Sequence, residues 1–266
     1  MTHASATDEP PQVTDDAFLG GALNILQPRA GYRAGLDAVM LAASVSNDPG
    51  QPLRVLDVGA GVGTAGLCVA RRLAAAEVVL LEREPQLADL AMQNVQRNGL
   101  GDRVRVVATS VGAPAAQLRA AGLAEESFTC VIANPPYHDA GAGTLPPDAG
   151  KALAHAMAED ELQRWGRFLA RMTAPRGTVT MVHKAEALQR VLAAFDQRFG
   201  AIRILPLHPR AGEPAHRVIV QGIKGSRAPL QLLTGLVLHG DGNAFVPAAQ
   251  AILRDGAALT IGMPAP

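Results

Sequence analysis

Aromatic side chains are scarce, with one Trp, two Tyr and six Phe in 266 residues. The core must therefore be built from aliphatic side chains and Ala. Cysteine is nearly absent. Cys68 and Cys130 form no CxxC pair, which argues against a zinc site or a disulfide framework, and no metal is expected. Both lie in apolar runs, GLCVA and FTCVIA, where a buried free thiol is ordinary. Two such thiols suit a reducing, cytoplasmic compartment. No apolar run reaches the roughly 18 residues of a membrane-spanning helix, so no membrane partner is expected. The N-terminal MTHASATDEPPQVTDD lacks the basic-then-apolar order of a signal peptide and reads as a short disordered tail over 1–16. Net charge is also missing, because 24 Lys+Arg balance 24 Asp+Glu.

That balance hides an asymmetry. Residues 1–133 carry 10 basic and 14 acidic side chains, and residues 134–266 carry 14 and 10. Between Arg198 and Arg227 six basic residues face one acid, Glu213. Such a cluster can serve phosphate contacts, although a solvated surface reads the same way. Apolar residues make up 48%, which excludes a disordered or collagen-like chain. The length fits one large domain or one domain with a small appendage.

Ala17 to Gln27 reads as an extended segment with a hairpin around Gly20-Gly21, and a helix follows from Asp37. Segment 17–52 is expected to cover the site that the next motifs build. From Leu53 onward strands and helices alternate. Strands are expected at 53–58, 78–82, 104–108, 128–133 and 177–183, with helices at about 64–75, 85–97, 113–124, 158–173 and 186–199. The run Leu53–Val58 lacks polar alternation, as a strand buried on both faces should. On the helix at 158–173, Trp165, Phe168, Leu169 and Met172 share one face. Arg164, Arg167 and Arg171 share another, which reads as a phosphate-contacting ridge or, more commonly, as a solvated side. AIRILPL and RVIVQGI form two further strands, antiparallel to each other because the loop between them is short. Segment 226–266 adds a strand and a helix to the domain spanning 53–225. The alternation predicts a mostly parallel sheet with helices on both faces.

Two motifs carry chemistry. Asp57-Val58-Gly59-Ala60-Gly61-Val62-Gly63 directly follows a buried strand. Its glycines allow a tight turn and bring a ligand close to the next helix N-terminus. Glu82 ends the following strand, 19 residues after Gly63, where a carboxylate is placed to accept hydrogen bonds from ribose hydroxyls. Together these point to a nucleoside-bearing cofactor. GxGxG after Asp57 resembles the S-adenosylmethionine signature more than the NAD fingerprint, and no GxxxxGK[ST] supports an ATPase. The second motif is Asn134-Pro135-Pro136-Tyr137, at the end of a strand where open α/β sheets bind ligands. The prolines stiffen the backbone and remove two donors. The Asn134 amide oxygen and the Pro135 carbonyl become rigid acceptors for a planar amine. Tyr137 can stack on the ring that bears it.

Asn134–Tyr137 matches the NPPY motif of adenine-N6, cytosine-N4 and glutamine-N5 methyltransferases. DAFLGGALNILQPRAGYRAGLDAVMLAA, NPPYHDAGAGTLPPDAGKALAHA and PLHPRAGEPAHRVIVQGIKG resemble one branch. It is the bacterial family that methylates N6 of adenine 37, beside the anticodon of a valine tRNA. The resemblance spans about residues 17–260. It implies a Rossmann-like class I methyltransferase, with a seven-stranded, mostly parallel sheet and one antiparallel strand. It implies S-adenosylmethionine as cofactor and an RNA substrate, most plausibly tRNA. Asp57, Gly59, Ala60, Gly61, Glu82, Ser110 and Asn134 are then the expected cofactor residues. Asn134, Pro135, Pro136 and Tyr137 are the expected catalytic ones. Tyr32, Arg33, Lys151, His155, Arg210 and Arg217 are substrate candidates. The chain departs from the family in having Thr109-Ser110-Val111 where an acid is common, and Leu36 where Thr often precedes the helix Asp. Glutamine-N5 protein methylation, DNA adenine methylation and a cofactor-binding module without transfer are the alternatives.

Overall fold

The computed structural model describes residues 13–31, 33–47, 50, 52–136 and 161–261. Strands β1 (Val13–Phe18) and β2 (Leu23–Pro28) pair antiparallel around a single 3-10 turn at Leu19–Gly21. The expected hairpin is therefore present, but it begins earlier than expected. Val13 to Asp16, assigned to the tail, lie in β1. Their polar side chains read as tail, yet Asp16 is anchored by Arg33 Nη2 at 2.6 Å and by Thr14 Oγ1 at 2.8 Å. Helix α1 (Leu36–Ala43) follows.

The main sheet contains β3 (Leu53–Val58), β4 (Ala76–Glu82), β5 (Val104–Ala108), β6 (Phe128–Ala133), β7 (Thr173–Lys184), β8 (Phe199–Arg210) and β9 (Arg217–Lys224). Two short strands, β10 (Gln231–Leu232) and β11 (Leu236–His239), pair in tandem along the outer edge of β8. The sheet order is β10-β8-β9-β7-β6-β3-β4-β5. Strand β9 is antiparallel to both its neighbours, and the remaining pairings are parallel. The expected seven strands with one antiparallel member are thus β3 to β9, and the C-terminal segment widens the sheet to nine.

Helices α2 (Thr64–Arg72), α3 (Pro85–Arg97), α4 (Ala115–Ala120), α5 (described over 161–172), α6 (Leu188–Phe195) and α7 (Pro247–Asp255) connect or cover the strands. Helix α3 starts on Pro85, whose missing N–H costs nothing in a first turn. It ends before Gly99, at φ 64°, a left-handed position that stops the helix. Two cores result, one on each face of the sheet. Residues of α1, α2, α3 and α7 pack with Val55, Val78, Leu80 and Ile132. Residues of α4, α5 and α6 pack with Leu56, Val58, Leu81 and Val131. Adjacent residues of one strand thus enter opposite cores, which is why these strands read as unbroken apolar runs.

Helix α5 stops one residue short of expectation, because Thr173 already pairs with Phe128 in the sheet. Helices α4 and α6 are also shorter than expected, and β8 starts at Phe199. Among the described residues no helix is long and apolar enough to cross a membrane.

Candidate active site

Strands β3 and β6 are neighbours in the sheet, but the chain leaves them toward opposite faces, to α2 and to α5. The C-terminal ends of such strands open a crevice that ligands use. Here it is a cleft of about 300 Å³, bounded by Gly59, Gly61, Glu82, Ser110, Asn134 and Trp165 among others.

Gly59 and Gly61 have φ of 67° and 57°, values that L side chains rarely adopt. Gly59 also has no room for a side chain. A Cβ there would lie 2.6 Å from Cη2 of Trp165, with Cζ2 and Cζ3 both at 3.5 Å, so the indole meets Gly59 tip first. The Ala60 N–H donates to Leu81 O at 2.9 Å, and Ala60 O accepts from Gly63 N at 2.9 Å. Ala60 therefore ties the loop to β4, and it is not among the residues lining the cleft.

Glu82 is 6% exposed. Its Oε2 accepts the Gly61 N–H at 2.8 Å, and its Oε1 accepts the N–H groups of Arg83 and Glu84 at 2.7 and 2.9 Å. The carboxylate is thereby fixed in the cleft wall with lone pairs left over for a ligand's hydroxyls. Asp57 lies behind the loop. It is 2% exposed and its Oδ2 accepts the Gly66 N–H at 2.8 Å. Burial and, to a smaller degree, the nearby Glu82 raise its carboxyl against the lowering effect of the Gly66 N–H, and the result is about 7. Asp57 organises the turn into α2 from beneath.

Thr109 and Ser110, after β5, form another part of the wall. The Thr109 N–H donates to Glu82 O at 2.9 Å. Its hydroxyl is buried without a hydrogen-bond partner among the described residues. A buried hydroxyl left unpaired is costly, so a polar ligand group is what this wall fits. Asn134 and Pro136 line the cleft after β6, and Pro135 is buried beneath them. Two left-handed glycines, a fixed carboxylate and an unpaired hydroxyl together suit a cofactor that carries a ribose and a purine.

Tyr32, Tyr137, Lys151 and His155 lie outside the described residues. The remaining substrate candidates lie away from the cleft and are held by other groups. Arg33 pairs with Asp16 at 2.6 Å and with Thr14 Oγ1 at 2.8 Å. Arg217 pairs with Asp37 at 2.9 Å. Arg210 donates to Gly242 O at 2.6 Å. The described residues of 17–52 do not line the cleft either. They reach the glycine loop from behind, through Asn94. The buried Asn94 accepts the Leu26 N–H at 2.8 Å and donates to Leu26 O and to Val62 O, each at 3.0 Å.

Sequence reasoning did not bring Glu161, Arg164 or Trp165 to the cleft, although it singled out the arginine row; these residues bring one face of α5 there. Their i, i+3, i+4 spacing was visible. Trp165 also fitted the apolar face, and nothing local distinguished a core residue from a cleft wall.

Comparison with known proteins follows the same lines. Residues 37–203 match the family model of the methyltransferase small domain. A crystal structure of a predicted O-methyltransferase from Agrobacterium tumefaciens is 31% identical, covers 84% of this chain and 98% of its own, and superposes with a TM-score of 0.70. A tRNA1(Val) (adenine(37)-N6)-methyltransferase of Porphyromonas gingivalis is 24% identical over 72% of this chain and 76% of its own. The protein of that name from Vibrio campbellii is 27% identical over 79% and 82%. With its central strands in this order and a glycine loop facing a fixed carboxylate across the crevice, the chain belongs to the methyltransferase small-domain family of S-adenosylmethionine-dependent enzymes.

Proposed function

We propose that the protein methylates N6 of an adenine in tRNA, at the position beside the anticodon. The observation that carries this reading is that Asn134 and Pro136 line the same cleft as Gly59, Gly61 and Glu82. Relatives over most of the chain bear the name of the tRNA1(Val) adenine-37 enzyme, which supports the choice of acceptor.

In this reading Glu82 holds ribose hydroxyls, and Gly59 and Gly61 let the backbone approach the methionine part. Thr109 and Ser110 present hydroxyls to the adenine end. S-adenosylmethionine, when bound, supplies an electrophilic methyl on a positive sulfur. The chain's own contribution is positioning. The Asn134 side-chain oxygen and the Pro135 carbonyl accept the two N–H groups of the target amine. The nitrogen lone pair is then directed into the cleft, and Tyr137 stacks on the purine. An anticodon-loop base can be splayed out without melting a duplex.

A second reading is transfer to oxygen, because the Agrobacterium relative is described as a predicted O-methyltransferase. A hydroxyl acceptor has one proton to donate and leaves one of the two acceptors unused.

The test is a transfer assay with labelled S-adenosylmethionine and, separately, unmodified tRNA, DNA and release factor. Label recovered as N6-methyladenosine from tRNA, and lost in Asn134→Ala, is the expected result. Label on protein, on DNA or on a ribose or other oxygen would replace this reading by the corresponding one.

A further inference from the structure

The basic stretch from Arg198 to Arg227 reads equally as a set of phosphate contacts and as a solvated surface. The structure commits most of that charge elsewhere. Arg198 donates to Ala194 O at 3.2 Å and Arg203 to Ile261 O at 3.3 Å. Arg210 is held by Gly242 and Arg217 by Asp37. Lys224 reaches Ala170 O, Thr173 O and Glu126, at 2.7 to 2.8 Å. These cations tie loops and strands together within the fold.

The arginine row on α5 is different. Arg171 is bound to Glu125 Oε1, through Nη2 at 2.8 Å and Nε at 2.9 Å. Arg164 and Arg167 are exposed and make no ion pair or hydrogen bond among the described residues. Arg164 also lines the cleft, as Trp165 and Asn134 do. Arg167 stands three residues on, about 4.5 Å further along the helix axis. Two close approaches fix the helix that carries them. The tip of Trp165 abuts Gly59, and Gly166 lies so near α6 that a Cβ there would collide with Ala194 O. Two unpaired guanidinium groups therefore stand in a fixed row that begins at the mouth of the cleft.

We propose that Arg164 and Arg167 form a phosphate-contacting ridge that leads a single RNA strand into the cleft. The proposal rests on the RNA reading above and adds where the strand runs. Guanidinium suits phosphate because its planar fork presents paired donors. A cation at the cleft mouth would meet the backbone of the nucleotide whose base is inside. Phosphate contacts position a strand without reading its sequence, so the ridge predicts affinity, not base choice.

The experiment is a salt titration of binding to unmodified tRNA. It compares wild type, Arg167→Ala, Arg164→Ala/Arg167→Ala and, as a control on another helix, Arg119→Ala. Cofactor affinity is measured by calorimetry, and transfer is assayed on the same tRNA. Removing two phosphate contacts to a single strand should flatten the log–log salt slope by about 1.4. Binding near 0.1 M salt should weaken by roughly five- to tenfold. Arg167→Ala, outside the cleft lining, should keep the cofactor affinity of wild type while flattening the slope by about 0.7, and Arg119→Ala should match wild type. If wild type binds and methylates tRNA but the double variant keeps its slope and affinity, the ridge is wrong and the RNA reading stands. If wild type shows no salt-dependent tRNA binding and no transfer to RNA, both fall. A control variant as weak as the double variant would mean diffuse charge, which also overturns the ridge.

Discussion

At the scale of single residues, the site depends on groups held in unfavourable settings. Asp57 is the clearest. Its ordinary carboxyl value of 3.8 rises to about 7, with burial the largest cause. Between those values the folded chain keeps a proton that the unfolded chain has lost. Stability from this group is therefore full at low pH, falls as pH rises toward 7 and is level above it. Asp57→Asn carries a neutral side chain at every pH and retains an oxygen for the Gly66 N–H. The melting temperature of the variant minus that of wild type should grow more positive from pH 5 to pH 8. A constant difference across that range would show that Asp57 is already ionised when folded. The sequence announced Asp57, Gly59 and Glu82 because a strand, a tight turn and a second strand lie close together in the chain. It did not announce Trp165, which reaches Gly59 from more than a hundred residues away.

At the scale of elements, asparagines do work that sequence patterns hide. The run QNVQRNGL reads as a helix end, and so it is. Within it Asn94 and Asn98 pair with the backbone of β2 as a neighbouring strand would. Asn98 accepts from Asn24 N at 3.0 Å and donates to Asn24 O at 2.8 Å. Asn94 serves Leu26 in the same way and also holds Val62 O in the glycine loop. Asn94→Ala would leave buried backbone groups unpaired at about 1–3 kcal/mol each. The expected result is a loss of at least about 2 kcal/mol in urea unfolding. Hydrogen exchange at the Leu26 amide should quicken more than exchange in β4. Equal protection in variant and wild type would mean that the hairpin is held by its apolar side chains alone. The central strands were legible because each feeds both cores with aliphatic residues. Strand β1 was not, since its order comes from pairing and from Arg33. Nor was the two-residue β10, which exists only because β8 offers it an edge.

For the whole molecule, the two ends of the described chain meet on one face. Helix α7 packs against the 3-10 turn of the hairpin and against α1. Arg72 gathers neighbouring segments at one point, donating to Gly256 O at 2.8 Å and Ala42 O at 2.6 Å. The Leu259 N–H donates to Ala43 O at 2.8 Å. The described residues of 226–266 add Leu238, Ala249, Ile252 and Ile261 to the core that α1 and α2 share. Removing them uncovers the edge of β8 and the apolar residues Leu19, Leu205 and Leu207. A chain ending at residue 225 should lose cooperative unfolding or melt roughly 10 °C lower or more. A truncated protein with the melting point and cofactor affinity of the full chain would refute this.

The meeting of hairpin and α7 also sets an order on biosynthesis. The 3-10 turn at Leu19–Gly21 leaves the ribosome well before its partner helix at Pro247–Asp255. At 5–20 residues per second, about 10 to 50 seconds separate the two. Throughout that interval Leu19, which is buried in the finished protein, has no helix to cover it. The alternating strands and helices can dock in turn as they emerge. The hairpin can dock on α3 through Asn94 and Asn98 as soon as that helix is made, but its turn must wait for α7.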